Sequence, residues 1–177
     1  RDESGRDIFD GGEGQDTAAY WGHSSGVTVN LETGANSSGD TYISIENILG
    51  SNKADDHLTG DAQNNYLRGA AGNDTLIGGS GADTLRGDSG NDVMTGDDGG
   101  DLFVFHNSFG QDVVTDFDVS QDVLDVSSVE AFTSFSDVIT NHASQVGTDV
   151  VISVSGSHHI TLEDVSMGNL AEHHFDF

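Results

Sequence analysis

The chain contains no cysteine and no proline in 177 residues. Without cysteine there is no disulfide, so an exported fold would need some other staple. Cations are scarce as well. Arg1, Arg6, Lys53, Arg68 and Arg86 stand against 31 acidic residues, giving a formal charge of −26. Five scattered cations cannot form the basic footprint that nucleic acid demands, so nucleic acid is excluded as a partner. Direct membrane insertion is excluded too, because no apolar run approaches the length of a membrane span. The chain opens at Arg1, not Met, in the middle of a repeat. That start predicts a processed C-terminal piece of a longer protein, with an upstream domain as its partner, and says nothing of a signal peptide.

Glycine and acid are what the chain has, and they are periodic. Residues 51–104 read as SNKADDHLT, GDAQNNYLR, GAAGNDTLI, GGSGADTLR, GDSGNDVMT and GDDGGDLFV, without insertions. Aspartate holds the sixth position at Asp56, Asp74, Asp83, Asp92 and Asp101, with Asn65 replacing it once. A large apolar residue holds the eighth, at Leu58, Leu67, Leu76, Leu85, Met94 and Phe103. A fixed period of this kind governs the fold. The first six residues of a unit suit a turn, and the last three suit a short strand with only its middle side chain inward. Two units then make one turn of a flattened, right-handed parallel β-roll. Leu58, Leu76 and Met94 are expected in one sheet, facing Leu67, Leu85 and Phe103 in the other.

Such a core is one side chain thick, and glycine-rich turns lose much entropy on ordering. The turns also stack aspartates in register, where two unit charges 4 Å apart repel by about 1 kcal/mol even in water. A cation must lie between them. The donors are hard oxygens, carboxylates and turn carbonyls, in a flexible loop, which suits Ca²⁺ with its 6–8 oxygens better than octahedral Mg²⁺. Several ions are expected.

GGSGADTLR and GAAGNDTLI match the nonapeptide G-G-x-G-x-D-x-U-x, and the array resembles the RTX (repeats-in-toxin, haemolysin-type) calcium-binding β-roll of bacterial type I secreted proteins. The resemblance implies an ion between the turns of units n and n+2, pairing Asp56 with Asp74, Asp74 with Asp92, and Asp83 with Asp101. Asn65 departs from the pattern and should weaken the site it shares with Asp83. The metal candidates are Asp7, Asp16, Asp56, Asn65, Asp74, Asp83, Asp92 and Asp101, with the turn glycines Gly69, Gly72, Gly78, Gly81, Gly87, Gly90 and Gly96. Asp88 and Asp97 join them; whether these two, Asp61 and Asp98 ligate or only add negative field stays open.

The rest of the chain is organised around this array. Residues 1–19 carry two more units, with Asp7 and Asp16 at the sixth position. Residues 20–50 break the period and read as a stranded insert, with strands near 26–31 and 42–45, that extends or caps the first coils. Such segments resemble those that serralysin-type proteases and mannuronan epimerases place before their main repeats. Residues 51–104 are the main roll. Residues 105–177 form a capping β region, because a stacked array leaves an open end. Phe103, Phe105 and Phe109 are expected at that end. Residues 112–125 resemble a family segment in which Asp116, Asp118 and Asp122 are candidates for a final calcium site, with surface carboxylates as the alternative. Residues 134–146 suit a short amphipathic helix, and 149–154 with 159–162 a hairpin. The tail, TLEDVSMGNLAEHHFDF, resembles the termini of type I secretion substrates.

No catalytic constellation stands out. Gly22-His23-Ser24-Ser25-Gly26 fits G-x-S-x-G, but a repeat turn precedes it and a strand follows, the reverse of a nucleophile elbow. The pairs His158-His159 and His173-His174 point to opposite faces of a strand and are poor chelates, so they read as surface histidines. Tyr20 and Trp21 read as packing, not as a sugar platform. The chain is therefore expected to be no enzyme. It is expected to be a secreted calcium-binding module that folds outside the cell and serves secretion, folding and stabilisation of a larger protein, with the type I machinery as partner. The alternative is a calcium-dependent polysaccharide- or surface-binding module of the adhesin or epimerase type.

Overall fold

The computed structural model describes residues 6–177; residues 1–5, the start of the first repeat unit, lie outside the described residues. The described residues wind through three sheets. Strands β1 (Ile8–Asp10), β2 (Thr17–Ala19), β3 (Thr28–Asn30), β4 (Thr41–Ile43), β5 (Asn47–Leu49) and β6 (His57–Thr59) come first. β1 pairs with β4, β2 with β5 and β3 with β6, all parallel. Each of these coils therefore takes three strands to return to its starting sheet. From β5 the chain alternates between two sheets, through β6, β7 (Tyr66–Ala71), β8 (Thr75–Ser80), β9 (Thr84–Ser89), β10 (Val93–Asp98), β11 (Leu102–His106), β12 (Gln111–Val114) and β13 (Val123–Ser128). The two-strand turn expected of the array thus holds over its whole length, since β6 pairs with β8 and β5 already pairs with β7. The segment 20–50 supplies β3, β4 and β5 as integral coil strands.

The apolar columns form as expected. In one sheet Val29, Leu58, Leu76, Met94 and Val114 stack in register. In the other the column runs Ala18, Ile48, Leu67, Leu85, Phe103, Leu124 and Phe175. All of these are buried. Between the columns there is room for one layer of side chains, so each loses its contact with water only because the facing strand is present.

The central strands are longer than three residues. Tyr66–Ala71, Thr75–Ser80, Thr84–Ser89 and Val93–Asp98 each run into the next unit's first three positions. Pairing persists there because like turns stack on like turns, with Ala70 opposite Asp88 and Gly79 opposite Asp97. The burial alternates, so the first-position glycine is a second inward residue in each unit.

The roll does not stop at residue 104. β12 and β13 add a coil, with Phe103, Phe105 and Phe109 all buried beneath it. The end is then closed by β14 (Ala143–Val146), β15 (Asp149–Ser155) and β16 (His158–Leu162) on one sheet and by β17 (Phe175–Asp176) on the other. The hairpin of β15 and β16 is antiparallel, as expected. The helix expected over 134–146 is cut short. A single turn, α1 (Phe135–Asp137), leads into a wide π-type turn over Val138–His142, and Ala143–Val146 is a strand edge of the hairpin sheet. Pairing with β15 satisfies that backbone, and outweighs the weak helical period.

Candidate metal centre

Each edge of the roll carries its own row of carboxylates. One row, at the starts of β6, β8, β10 and β12, is Asp56, Asp74, Asp92 and Asp112. The other, at the starts of β7, β9, β11 and β13, is Asn65, Asp83, Asp101 and Asp122. All eight side chains are buried. Along each row the backbone N–H of one residue donates to Oδ1 of the acid one coil later. Asp56 donates to Asp74 and Asp74 to Asp92 at 2.8 Å, and Asp92 to Asp112 at 3.1 Å. Asn65 donates to Asp83 at 2.7 Å, Asp83 to Asp101 and Asp101 to Asp122 at 2.9 Å. The expected pairs are brought together, and each carboxylate has half its acceptor capacity met by the coil before it.

The other half is not met in the middle of the rows. Among the described residues, Oδ2 of Asp74, Asp83, Asp92 and Asp101 is shut from solvent and has no hydrogen-bond partner, and Asp16 Oδ2 shares that condition. At the row ends the chain supplies donors instead. Ser51 N–H donates to Asp56 Oδ2 at 2.6 Å, and Asp118 N–H to Asp122 Oδ2 at 2.8 Å. Burial without full satisfaction disfavours the charged form. It pushes Asp74 up to about 7, and Asp83, Asp92 and Asp101 up to about 6. Asp112 rises to about 7 for the same reason, with the Asp92 charge beside it adding to the rise.

Each orphaned oxygen faces the first glycine of its own unit. A methyl group on Gly69, Gly78, Gly87 or Gly96 would collide with the carboxylate of Asp74, Asp83, Asp92 or Asp101 respectively. At Gly78 that space is bounded by Asp83 Oδ2 and the Gly96 carbonyl of the next coil. At Gly60 it is bounded by Asn65 Oδ1 and the Gly78 carbonyl. The fourth-position glycines serve the turn itself: Gly90 has φ +138°, and a side chain there would strike the Gly72 carbonyl. Among the described residues no three Asp, Glu or His side chains converge. A hard cation must therefore take turn carbonyls along with one or two carboxylates. That donor set fits calcium, which accepts mixed carboxylate and carbonyl oxygens.

Other candidates fare differently. Asp88 is engaged elsewhere. It sits at φ +74° between Arg68, which reaches it from the neighbouring coil, and Arg86, two residues earlier on its own strand, so its charge is already compensated. Asp97 is exposed, and its backbone N–H and that of Gly96 both donate to Asp116. Asp116 is thereby a turn cap. Asp118 is held by its own loop through Ser120 N–H and the Gln121 amide. Of the three acids considered for a final site, Asp122 joins a row. Asp7 is exposed, and its N–H donates to Asp40 Oδ1. Asn65 presents an amide: its Nδ2 donates to the Glu46 carbonyl at 2.9 Å, and its Oδ1 accepts from Asp61 N–H.

Asp112, Asp40 and Glu46 are absent from the sequence-based candidates because the nonapeptide spacing fails around them. A shorter signal does mark them. An acid two residues before an inward apolar side chain recurs at Asp40-Thr41-Tyr42, Glu46-Asn47-Ile48, Asp112-Val113-Val114 and Asp122-Val123-Leu124. That triplet is the constant part of the repeat unit, and the turn length is what varies.

The histidines are not all on the surface. His174 is buried, with Nδ1 accepting from Ala171 N–H at 2.9 Å and Nε2 donating to the Val119 carbonyl at 2.8 Å. Gly22–Gly26 lies between β2 and β3, with no helix following. Tyr20 packs, buried against Asp40 and Tyr42. Trp21 does not, and is half exposed.

Comparison with known proteins agrees with this geometry. The family model of the RTX calcium-binding nonapeptide repeat matches four copies, over residues 2–18, 51–76 and 69–103. Solution structures of the AlgE6R3 and AlgE6R2 subunits from the Azotobacter vinelandii mannuronan C5-epimerase are similar, each at 27% identity. The first covers 71% of this chain and 80% of its own, with TM-score 0.56; the second covers 70% and 88%, with TM-score 0.52. The crystal structure of the extracellular lipase LipA from Serratia marcescens shares the fold at 21% identity and TM-score 0.57. It covers 98% of this chain, which spans 34% of the lipase. No curated protein sequence matches significantly.

Proposed function

We propose that this RTX calcium-binding nonapeptide-repeat module is a calcium-gated folding element of a larger exported protein. The observation that carries the reading is the set of buried, unpartnered Oδ2 atoms at Asp74, Asp83, Asp92 and Asp101. An ionised carboxylate in that position is costly unless a cation compensates it. Asp74, Asp83, Asp92 and Asp101, together with Asp112 and Asp122 and the carbonyls of the Gly69, Gly78, Gly87 and Gly96 turns, would hold the ions. Bound calcium would supply positive charge between coils and cross-link turns that the thin core cannot hold.

Binding to the folded state alone makes the ion a term in folding stability. Where calcium is scarce the rows repel and the glycine-rich chain stays open, a state suited to threading through a type I exporter. Outside the cell, abundant calcium closes it. The module itself carries no catalysis in this reading; any activity belongs to the protein it is attached to. A glycan-binding role is less well supported. The roll's two arginines, Arg68 and Arg86, are spent on Asp88 and leave little for an acidic polymer.

Circular dichroism tests the proposal. The chain should be largely disordered in chelator and gain β-structure on adding calcium. Equal β-structure in both conditions would sink it.

A further inference from the structure

We propose that the fifth-position side chains Asn73 and Asn91 are positioning residues for calcium. They clasp the turns on the edge that carries Asp74 and Asp92, so that this edge releases its ions more slowly than the edge that carries Asp83 and Asp101. This rests on the reading that the orphaned aspartates of the array bind calcium.

Asn91 N–H donates to Asn73 Oδ1, and Gln111 N–H to Asn91 Oδ1, each at 2.9 Å. Asn73 N–H in turn donates to Asp55 Oδ1 at 2.7 Å. These bonds run against those of the acid row beside them, in which the N–H belongs to the earlier coil and the carboxylate to the later one. Each junction from Asp55 to Gln111 is thus crossed in both directions, by two bonds one residue apart. On the other edge Ala82 N–H donates to Asn64 Oδ1 at 2.9 Å. Ala82 itself has no side-chain acceptor for the Gly100 N–H of the next coil, so the clasp stops there. Asn73, Ala82 and Asn91 are all exposed, so core packing does not account for what stands at these positions.

The clasp acts on the turn carbonyls through the peptide plane. A trans peptide holds its N–H and C=O in opposite directions. With Asn91 N–H drawn back to Asn73, the Gly90 carbonyl points on toward the next coil, where a methyl on Gly110 would strike it. With Asn73 N–H drawn back to Asp55, the Gly72 carbonyl points toward Gly90 in the same way. Both carbonyls are thereby aimed into the space between coils, where a hard cation needs oxygens. An amide suits this task. Its oxygen accepts as a carboxylate oxygen does, and it adds no charge beside Asp74 or Asp92.

Stopped-flow release of calcium from the whole loaded chain into a chromophoric chelator tests this. Wild type should release in a slow and a fast phase. Asn91→Ala should move part of the slow amplitude to a rate about fivefold faster, the factor that one hydrogen bond of about 1 kcal/mol is worth. Ala82→Asn gives the Gly100 N–H an acceptor and should move fast amplitude into the slow phase. Asn65 already weakens that edge, so the variants decide the matter and not the two wild-type phases. Both variants should keep the wild-type circular dichroism in saturating calcium, which separates positioning from a general loss of fold. Should Asn91→Ala unfold, Ala82→Asn carries the test alone, and release no slower than wild type would overturn the inference. Unchanged release in both variants would overturn it too and leave the module reading standing. A wild-type chain that takes up no calcium would overturn both.

Discussion

At the scale of the residue, the repeat unit is a device for burying a carboxylate beside a glycine. The glycine at position one is required by contact, because a Cβ there meets the sixth-position acid. Gly87 shows it: a methyl would collide with Asp92 Oδ2 and its Cγ. Gly87→Ala should displace that carboxylate, cost about 1–3 kcal/mol by overpacking, and raise the calcium concentration needed for half-folding. A calcium titration followed by circular dichroism reads it, and an unchanged midpoint would show that the carboxylate does not need its place. Position two is different. Ala70, Asp88 and Asp97 occupy the left-handed region there without being glycine. Asp88 has an evident return for that strain in its two arginine contacts. The loss of this residue from the ligand set is a matter of Arg86 just before it and Arg68 across a coil, neither of which lies in its own nonapeptide.

At the scale of the element, the strands carry little stability singly and the ends of the stack matter most. The C-terminal end is closed by β17, which pairs with β13 and covers Leu124 with Phe175. His174 pins that strand to the loop before β13 through Val119, with Phe117 packed edge-on at 5.9 Å. The ring is fully satisfied as a neutral tautomer, so it acts as a structural latch. His174→Ala leaves a buried cavity and unpaired backbone groups, and should destabilise the calcium-loaded fold by about 2–4 kcal/mol. Thermal unfolding in calcium measures it; an unchanged melting temperature would mean that the tail is not part of the cap. The short period of apolar residues at 135–143 points to a helix that does not form in full, for a related reason. Ala143–Val146 has a strand partner in β15, and that partner is invisible locally.

At the scale of the whole molecule, the charge balance sets how the ion-free chain responds to pH. Asp74 and Asp112 are pushed up to about 7, and Asp83, Asp92 and Asp101 to about 6, while unfolded aspartates titrate near about 4. Between those values the folded chain holds protons that the unfolded chain has released. Linkage then makes the ion-free fold most favoured below about pH 4 and progressively less favoured as pH rises to about 7. In chelator, β-structure should therefore be greater near about pH 4.5 than near about pH 7.5. In calcium the higher pH should favour folding, because protons and ions compete for the same oxygens. A circular dichroism series across that range, with and without calcium, reads both. A flat profile in chelator would show that these carboxylates are not buried in the ion-free fold.

What repeats was legible in the amino-acid order alone. The nine-residue period, the inward columns from Leu58 to Met94 and from Leu67 to Phe103, and the stacking of sixth-position acids all follow from translation: each unit meets copies of itself, so local chemistry suffices. What does not repeat was settled by the packing of the coils. The third strand per coil before β6, the continuation of the rows to Asp112 and Asp122, and the pairing of Asp16 with Glu46 all depend on turns of unequal length. Such turns come into register only when the coils are stacked, and hydrogen bonding between coils fixes that register.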